Sequence, residues 1–285
     1  MFSSLMTPGH TNRMGYFALA LVTAVPALGV CQDRQIHFRE LSPQVIRQRL
    51  ETVARKNADR EQALKKLLEA VGCQAERLTE QSVTRTIPPN VICTLPGATA
   101  SVILVGAHFD HVPTSYGVID DWSGASLLPS LYESLDTVAR KHTFVFVGFT
   151  NEEKGLIGSG FYVKHLTAEE ISRIRAMVNL DSLALGPTKV WASRADHVLL
   201  SALVAVAQSF SLPLQGMSAD QVGKDDTFPF AAKKVPTVSL HSLTQENWQI
   251  AHTPRDAMAA VRMSDFYESY RLIAAYLAYL DGALD

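Results

Sequence analysis

Cysteine is scarce in this chain of 285 residues, with three in all and none in a CxxC pair or beside a ladder of histidines. Neither a structural zinc finger nor a thiol redox motif is supported by that pattern. An excess of one charge is also lacking, since 26 Lys and Arg stand against 28 Asp and Glu. The balance leaves no electrostatic footprint for nucleic acid and no polybasic patch for a membrane surface. No Pro/Gly/Ser-rich linker and no internal repeat divide the chain, so one α/β domain is expected over two small ones.

Long apolar runs are missing too, with one exception. Residues 16–30 (YFALALVTAVPALGV) are almost wholly apolar and follow a polar stretch whose one basic residue is Arg13. The run is interrupted by Pro26 and is shorter than the roughly twenty residues a membrane span needs. Small residues around Ala27 and Gly29 offer cleavage positions. Residues 1–30 therefore read as a signal peptide, with an uncleaved signal anchor as the alternative, and residues 31–285 as the functional domain. Export to the periplasm or medium is the expected localisation, or membrane anchoring through that segment. In an oxidising compartment Cys73 and Cys93 could pair, both falling in strand-like segments; two buried free thiols fit the sequence equally well.

What the chain does have is alternation. Ser42-Pro43 marks a helix start, Asp59 a second one whose Leu64, Leu67, Leu68 and Val71 share a face, and Gly72 its end. The apolar runs 102–107, 143–149, 176–180 and 236–240 are short and rich in Val, Ile and Phe. They read as buried strands of a largely parallel sheet. Helices intervene, one after Ser123 and one behind the capping box Thr167-Ala168-Glu169-Glu170. The pattern is α/β with helices on both faces of the sheet. Ligands in such sheets bind beyond the carboxyl ends of the strands.

Five clusters of polar residues fall at or near those ends. His108 closes a strand with Asp110 two residues on, a spacing suited to a metal-binding imidazole oriented by a carboxylate. Asp120 and Asp121 precede the helix start at Ser123, and a divalent cation would relieve their mutual repulsion. Glu152 and Glu153 follow the strand 143–149, Asp181 follows 176–180, and His252 lies in the late segment His252-Thr253-Pro254-Arg255-Asp256. Each alone has an ordinary structural explanation. Together they form a nitrogen and oxygen donor set without sulfur, suited to zinc. Of two adjacent glutamates, one can hold a metal while the other moves a proton between water and a leaving amine.

The ordered combination of HxD, DDxxSG, EE, NLD, the segment Asp225-Asp226-Thr227-Phe228-Pro229-Phe230 and HTPxD resembles the secreted co-catalytic zinc aminopeptidases, to which glutaminyl cyclases are related. The matching motifs run from Asn90 to about Asp256. The resemblance implies a single zinc-exopeptidase-like domain with a mixed, mostly parallel sheet. It implies that Asp120 bridges two Zn2+, that His108 and Asp181 complete one ion, and that Glu153 and His252 complete the other. It further implies Glu152 as general base and acid, Asp110 as the partner of His108, and a cis peptide between Asp120 and Asp121.

The implied reaction is hydrolysis of the first peptide bond of peptide or protein N-termini by a metal-bound hydroxide, in a monomer that binds no nucleic acid. The rival reading is a glutaminyl cyclase using one zinc, of which Trp248 near His252 is reminiscent. A non-catalytic binding ectodomain is disfavoured because all six site positions are intact. Lys224 before Asp225-Asp226, and Lys233-Lys234-Val235-Pro236, depart from the family pattern, and Asp226 is expected to support the site without a defined role. The loop 241–250 is expected to border the substrate pocket. The residues beyond the hydrophobic segment suffice for one catalytic domain, so an appended domain is not expected.

Overall fold

The computed structural model describes residues 36–217 and 223–285. The apolar N-terminal segment read as signal or anchor, and Cys31, lie outside the described residues. Helix α1 (Pro43–Leu50) begins as the sequence requires, with the Ser42 hydroxyl accepting from the Val45 N–H and proline at the first helical position. Helix α2 (Asn57–Ala70) starts two residues ahead of the expected Asp59, after a Lys56 that makes no side-chain cap. Asp59 sits in the first turn instead, where its charge complements the helix dipole. Gly72, at φ 94°, closes the helix in left-handed backbone.

The remaining elements in chain order are β1 (Leu78–Gln81), β2 (Asn90–Leu95), β3 (Val102–His108), α3 (Ser123–Asp136), β4 (Thr143–Phe149), α4 (Ile157–Lys164), α5 (Ala168–Arg173), β5 (Ile174–Leu180), β6 (Lys189–Trp191), α6 (His197–Ser209), β7 (Gln215–Met217), α7 (Thr227–Ala231), β8 (Thr237–His241) and α8 (Met263–Ala283). The capping box at Thr167 is formed on both sides. Strand β5 begins two residues earlier than expected because α5 runs directly into it. Among the described residues no helix is long and apolar enough to cross a membrane.

The eight strands lie in the order β1-β2-β4-β3-β5-β8-β6-β7. The central four, β4-β3-β5-β8, are parallel, while β1, β2 and the β6–β8 pair supply antiparallel joins. Register aligns His108 with Phe149, and Leu180 with Leu240. The carboxyl ends of the four central strands therefore share one rim, and the loops leaving those strands gather there.

Alternation along β3 divides the core in two. Ile103, Val105 and Ala107 face a large cluster containing Leu64 and Leu68 of α2, Leu128 and Leu131 of α3 and Ile273 and Leu277 of α8. Leu104 faces the other side, with Phe149, Tyr162 of α4 and Phe230 of α7. Helices thus cover both faces, as the alternating pattern requires.

Cys73 and Cys93 form a disulfide, with Cα atoms 6.2 Å apart. Cys93 lies in β2, but Cys73 lies in the turn after α2 and not in a strand. The bond therefore staples a helix end to the antiparallel side of the sheet.

Candidate metal centre

His108 is the last residue of β3, and its side chain is 2% exposed. Asp120 and Asp121 occupy a kinked turn between residues 118 and 122, with the peptide between them cis, as the resemblance implied. Glu152 and Glu153 open a short 3-10 turn after β4, entered through Asn151 in left-handed backbone at φ 52°. That turn is fixed from below by Asn90, whose side chain accepts from the Thr150 N–H at 3.0 Å and donates to the Gly158 carbonyl at 3.0 Å. Asp181 follows β5, and its N–H donates to the Leu240 carbonyl at 3.0 Å.

All five expected metal ligands converge. One carboxylate oxygen of Asp120 lies 3.1 Å from His108 Nε2 and the other lies 3.1 Å from His252 Nε2. His252 Nε2 is also 2.9 Å from Glu153 Oε2. Two groups of donor atoms result, His108/Asp120/Asp181 and Asp120/Glu153/His252, each within 4.8 Å of one another. They share Asp120.

Asp110 sits 3.5 Å from His108 Nδ1, long for a hydrogen bond. It accepts more closely, at 2.9 Å, from the Glu152 N–H, so it links the histidine strand to the glutamate turn. Asp121 is held by main-chain donors beside the site: its Oδ1 accepts from Gly124 N–H at 2.8 Å and Ser182 N–H at 3.2 Å. A Cβ on Gly124 would lie 2.6 Å from both Asp121 Oδ2 and the Leu180 carbonyl. Only glycine lets α3 start this close to the end of β5. Asp226 is 1% exposed, with neither carboxylate oxygen hydrogen-bonded. His111 and His142 lie outside the donor set, His111 bonding the Val112 and Arg55 carbonyls and His142 the Asp281 carbonyl.

The electrostatics are those of a cage short of positive charge. Burial pushes the Glu152 carboxyl up to about 10, and the Asp226, Asp181 and Asp120 carboxylates add to this against the pull of His108. Asp181 rises to about 7 from burial and the nearby Asp120 charge. Burial opposes protonation of His108, yet Asp110 and Asp120 hold its pKa well above the ordinary value. Hydrogen bonds to Asp120 and Glu153 lift His252 to about 10. Clustered carboxylates facing two histidines are expensive without further cations. Buried Glu153 Oε1 has no hydrogen-bond partner, and the donors are all nitrogen and oxygen. The residues therefore fit divalent ions of the zinc class.

Two residues without an assigned role in the sequence also belong here. Asp256 Oδ1 accepts from the Ile119 N–H at 2.6 Å, binding the His252 loop to the Asp120 turn. Its signal was present in HTPxD. Arg60 is fully buried beneath the site, and burial lowers its pKa to about 10 while Asp256, Asp110, Asp121 and Asp120 hold it up. It remains a cation at neutral pH. Its position four and eight residues before Leu64 and Leu68 places it on the buried face of α2.

Sheet, rim and donor set define the class: an α/β fold with a candidate metal centre at the carboxyl ends of its central parallel strands. Residues 90–277 match the model of peptidase family M28. The chain belongs to that family. It is 27% identical over 184 residues to aminopeptidase YwaD of Bacillus subtilis (strain 168), a match covering 61% of this chain and 40% of the relative. The chain thus spans less than half the length of that relative. Among solved structures it is similar to a zinc aminopeptidase from Bacillus subtilis, with a TM-score of 0.62, 23% identity, and coverage of 70% of this chain and 50% of the other. An Acidobacteriales bacterium glutaminyl cyclase superposes with a TM-score of 0.71, 17% identity, and coverage of 85% and 94%. At these identities the structural likenesses establish the fold.

Proposed function

We propose that this chain is a zinc-dependent aminopeptidase whose two metal ions are held by His108, Asp120 and Asp181 and by Asp120, Glu153 and His252. The observation that carries the reading is the Asp120 carboxylate, which presents one oxygen to each histidine at 3.1 Å. When bound, such ions polarise the scissile carbonyl and make nearby water more acidic.

The chain's own residues supply the rest. Glu152 takes a proton from the attacking water and returns it to the leaving amine. Its metal-free carboxyl is held protonated by burial and surrounding carboxylates, and added positive charge lowers that pKa toward the working range. Asp110 fixes the Glu152 main chain through the 2.9 Å hydrogen bond from its N–H.

A glutaminyl cyclase with one zinc is the alternative. Completeness of both donor groups, rather than one, supports the peptidase. The deciding experiment compares aminoacyl amides with glutamine-initiated peptides on purified protein. Release of free amino acid, abolished by Glu152→Gln with metal retained, supports the reading; cyclisation of glutamine without hydrolysis overturns it.

Residues 1–30 are read as an export signal or anchor before a catalytic domain of 31–285, acting on peptide N-termini as a monomer. Mass measurement of the exported protein tests the cleavage, and light scattering the oligomeric state.

A further inference from the structure

The loop of residues 109–117 joins the end of β3, which carries His108, to the turn that carries Asp120. Both of its ends meet one side chain. Arg60 donates from Nη1 to the Phe109 carbonyl at 3.1 Å and to the Gly117 carbonyl at 3.0 Å. Nη2 donates to the Tyr116 carbonyl at 2.5 Å, and Nε reaches back to the Ala54 carbonyl at 2.9 Å. All four of these hydrogen bonds end on main-chain oxygens. The guanidinium is fully buried and lies 5.7 Å from the Trp122 ring.

We infer that Arg60 is a positioning residue for the metal centre: its planar fork pins both ends of the 109–117 loop and so sets the spacing of His108 and Asp120. The inference rests on the metal-binding reading above. The direction of the donors carries it. A residue present only for charge balance would pair with carboxylates, four of which lie near enough to feel its charge, whereas this one spends its donors on carbonyls.

Gly117 shows how closely the loop is drawn in. Its backbone is left-handed at φ 56°, and a Cβ there would stand 2.3 Å from His111 Cβ across the loop and 2.9 Å from both terminal guanidinium nitrogens. A side chain would be wedged between the far side of the loop and the fork. Lysine, a point charge on a flexible stem, cannot hold three carbonyls in one plane as arginine does. Groups hydrogen-bonded directly to metal ligands typically govern affinity by about ten- to hundred-fold, and a fork that sets the spacing of two ligands is expected to act on the same scale.

The test uses the full chain as wild type, Arg60→Lys and Arg60→Met, each stripped of metal and titrated with Co2+ by visible absorption. Circular dichroism and thermal melting confirm folding in parallel. The expected result is folded variants with Co2+ affinity weakened roughly ten- to hundred-fold and an altered ligand-field band, and with lysine restoring only part of the loss. A folded Arg60→Lys protein with wild-type affinity and spectrum overturns the positioning role, and it decides the matter alone if Arg60→Met does not fold. Failure of the wild type itself to bind Co2+ is a different result, which overturns the metal reading and this role with it.

Discussion

The two donor groups that meet at Asp120 stand on different kinds of backbone. His108 and Asp181 extend β3 and β5, central strands paired on both sides. His252 lies in a loop at φ 62°, with its side chain 56% exposed. Two tethers hold that loop: Thr114 Oγ1 donates to the His252 carbonyl at 2.9 Å, and the Ile119 N–H donates to Asp256. Strand-borne ligands are held more exactly than loop-borne ones. The difference teaches that one fold can set a rigidly held and a loosely held donor group side by side, sharing a single carboxylate.

Breaking both halves at once gives the largest effect. Asp120→Ala removes the only ligand common to the two groups, so metal content should fall to near zero and turnover by more than about 1,000-fold. Elemental analysis alongside an aminoacyl-amide assay checks this. Glu152→Gln should leave both halves loaded while lowering kcat about 100- to 10,000-fold; retained wild-type turnover would remove Glu152 from the chemistry.

Single-histidine variants sharpen the contrast. His252→Ala should keep its remaining ion in the strand-borne group, whereas His108→Ala should hold its remaining ion roughly ten- to hundred-fold more weakly. Competition with a chromogenic chelator measures both, and equal affinities would show that strand and loop make no difference.

Proton linkage obeys the same contrast. In the metal-free protein the pKa of His252 stands at about 10, so it carries a proton at pH 7 that a metal must displace, and that of His108 is raised in the same direction. Raising pH from 6.5 toward 10 should therefore strengthen metal binding, by up to about tenfold per unit for each proton released. The metal-free fold moves oppositely: the contribution of protonated His252 is present below its unfolded pKa of about 6.5 and is lost as pH approaches 10. Calorimetry in buffers of different ionisation enthalpy detects the release, and a pH-independent affinity would contradict it.

The smallest effect on the site should come from its far side. Replacing Cys73 and Cys93 by alanine should lower unfolding free energy by roughly 3 kcal/mol while leaving metal affinity within about twofold. Denaturant titration of both forms reads the first quantity and the chelator assay the second.

Four of the sheet's eight strands, β3, β4, β5 and β8, were legible as short apolar runs. His108, Glu152, Glu153 and Asp181 stand at or just beyond the ends of three of them, where parallel strands bring their carboxyl-terminal loops to one rim. Strands β1, β2, β6 and β7 lie on the flanks, where the runs are too short or too polar to stand out. The capping signals at Ser42 and Thr167 were equally local. Arg60 was not read, because a single arginine in a helix looks like solvated surface until the 60/64/68 spacing is taken with the loop it touches. The disulfide was open for a similar reason. Compartment permits a pairing, but only the tertiary contact between the turn after α2 and strand β2 selects it. The side of Asp120 that serves each histidine is likewise a matter of three-dimensional placement, which spacing does not encode.

The most direct test of the shared-carboxylate site is zinc titration of metal-stripped wild type and Asp120→Ala, followed by elemental analysis and release of free amino acid from an aminoacyl amide. Two zinc ions per wild-type chain, none in the variant, and hydrolysis only in the loaded wild type is the expected outcome. Saturation at a single ion that survives loss of Asp120, or no zinc in the wild type, would contradict it.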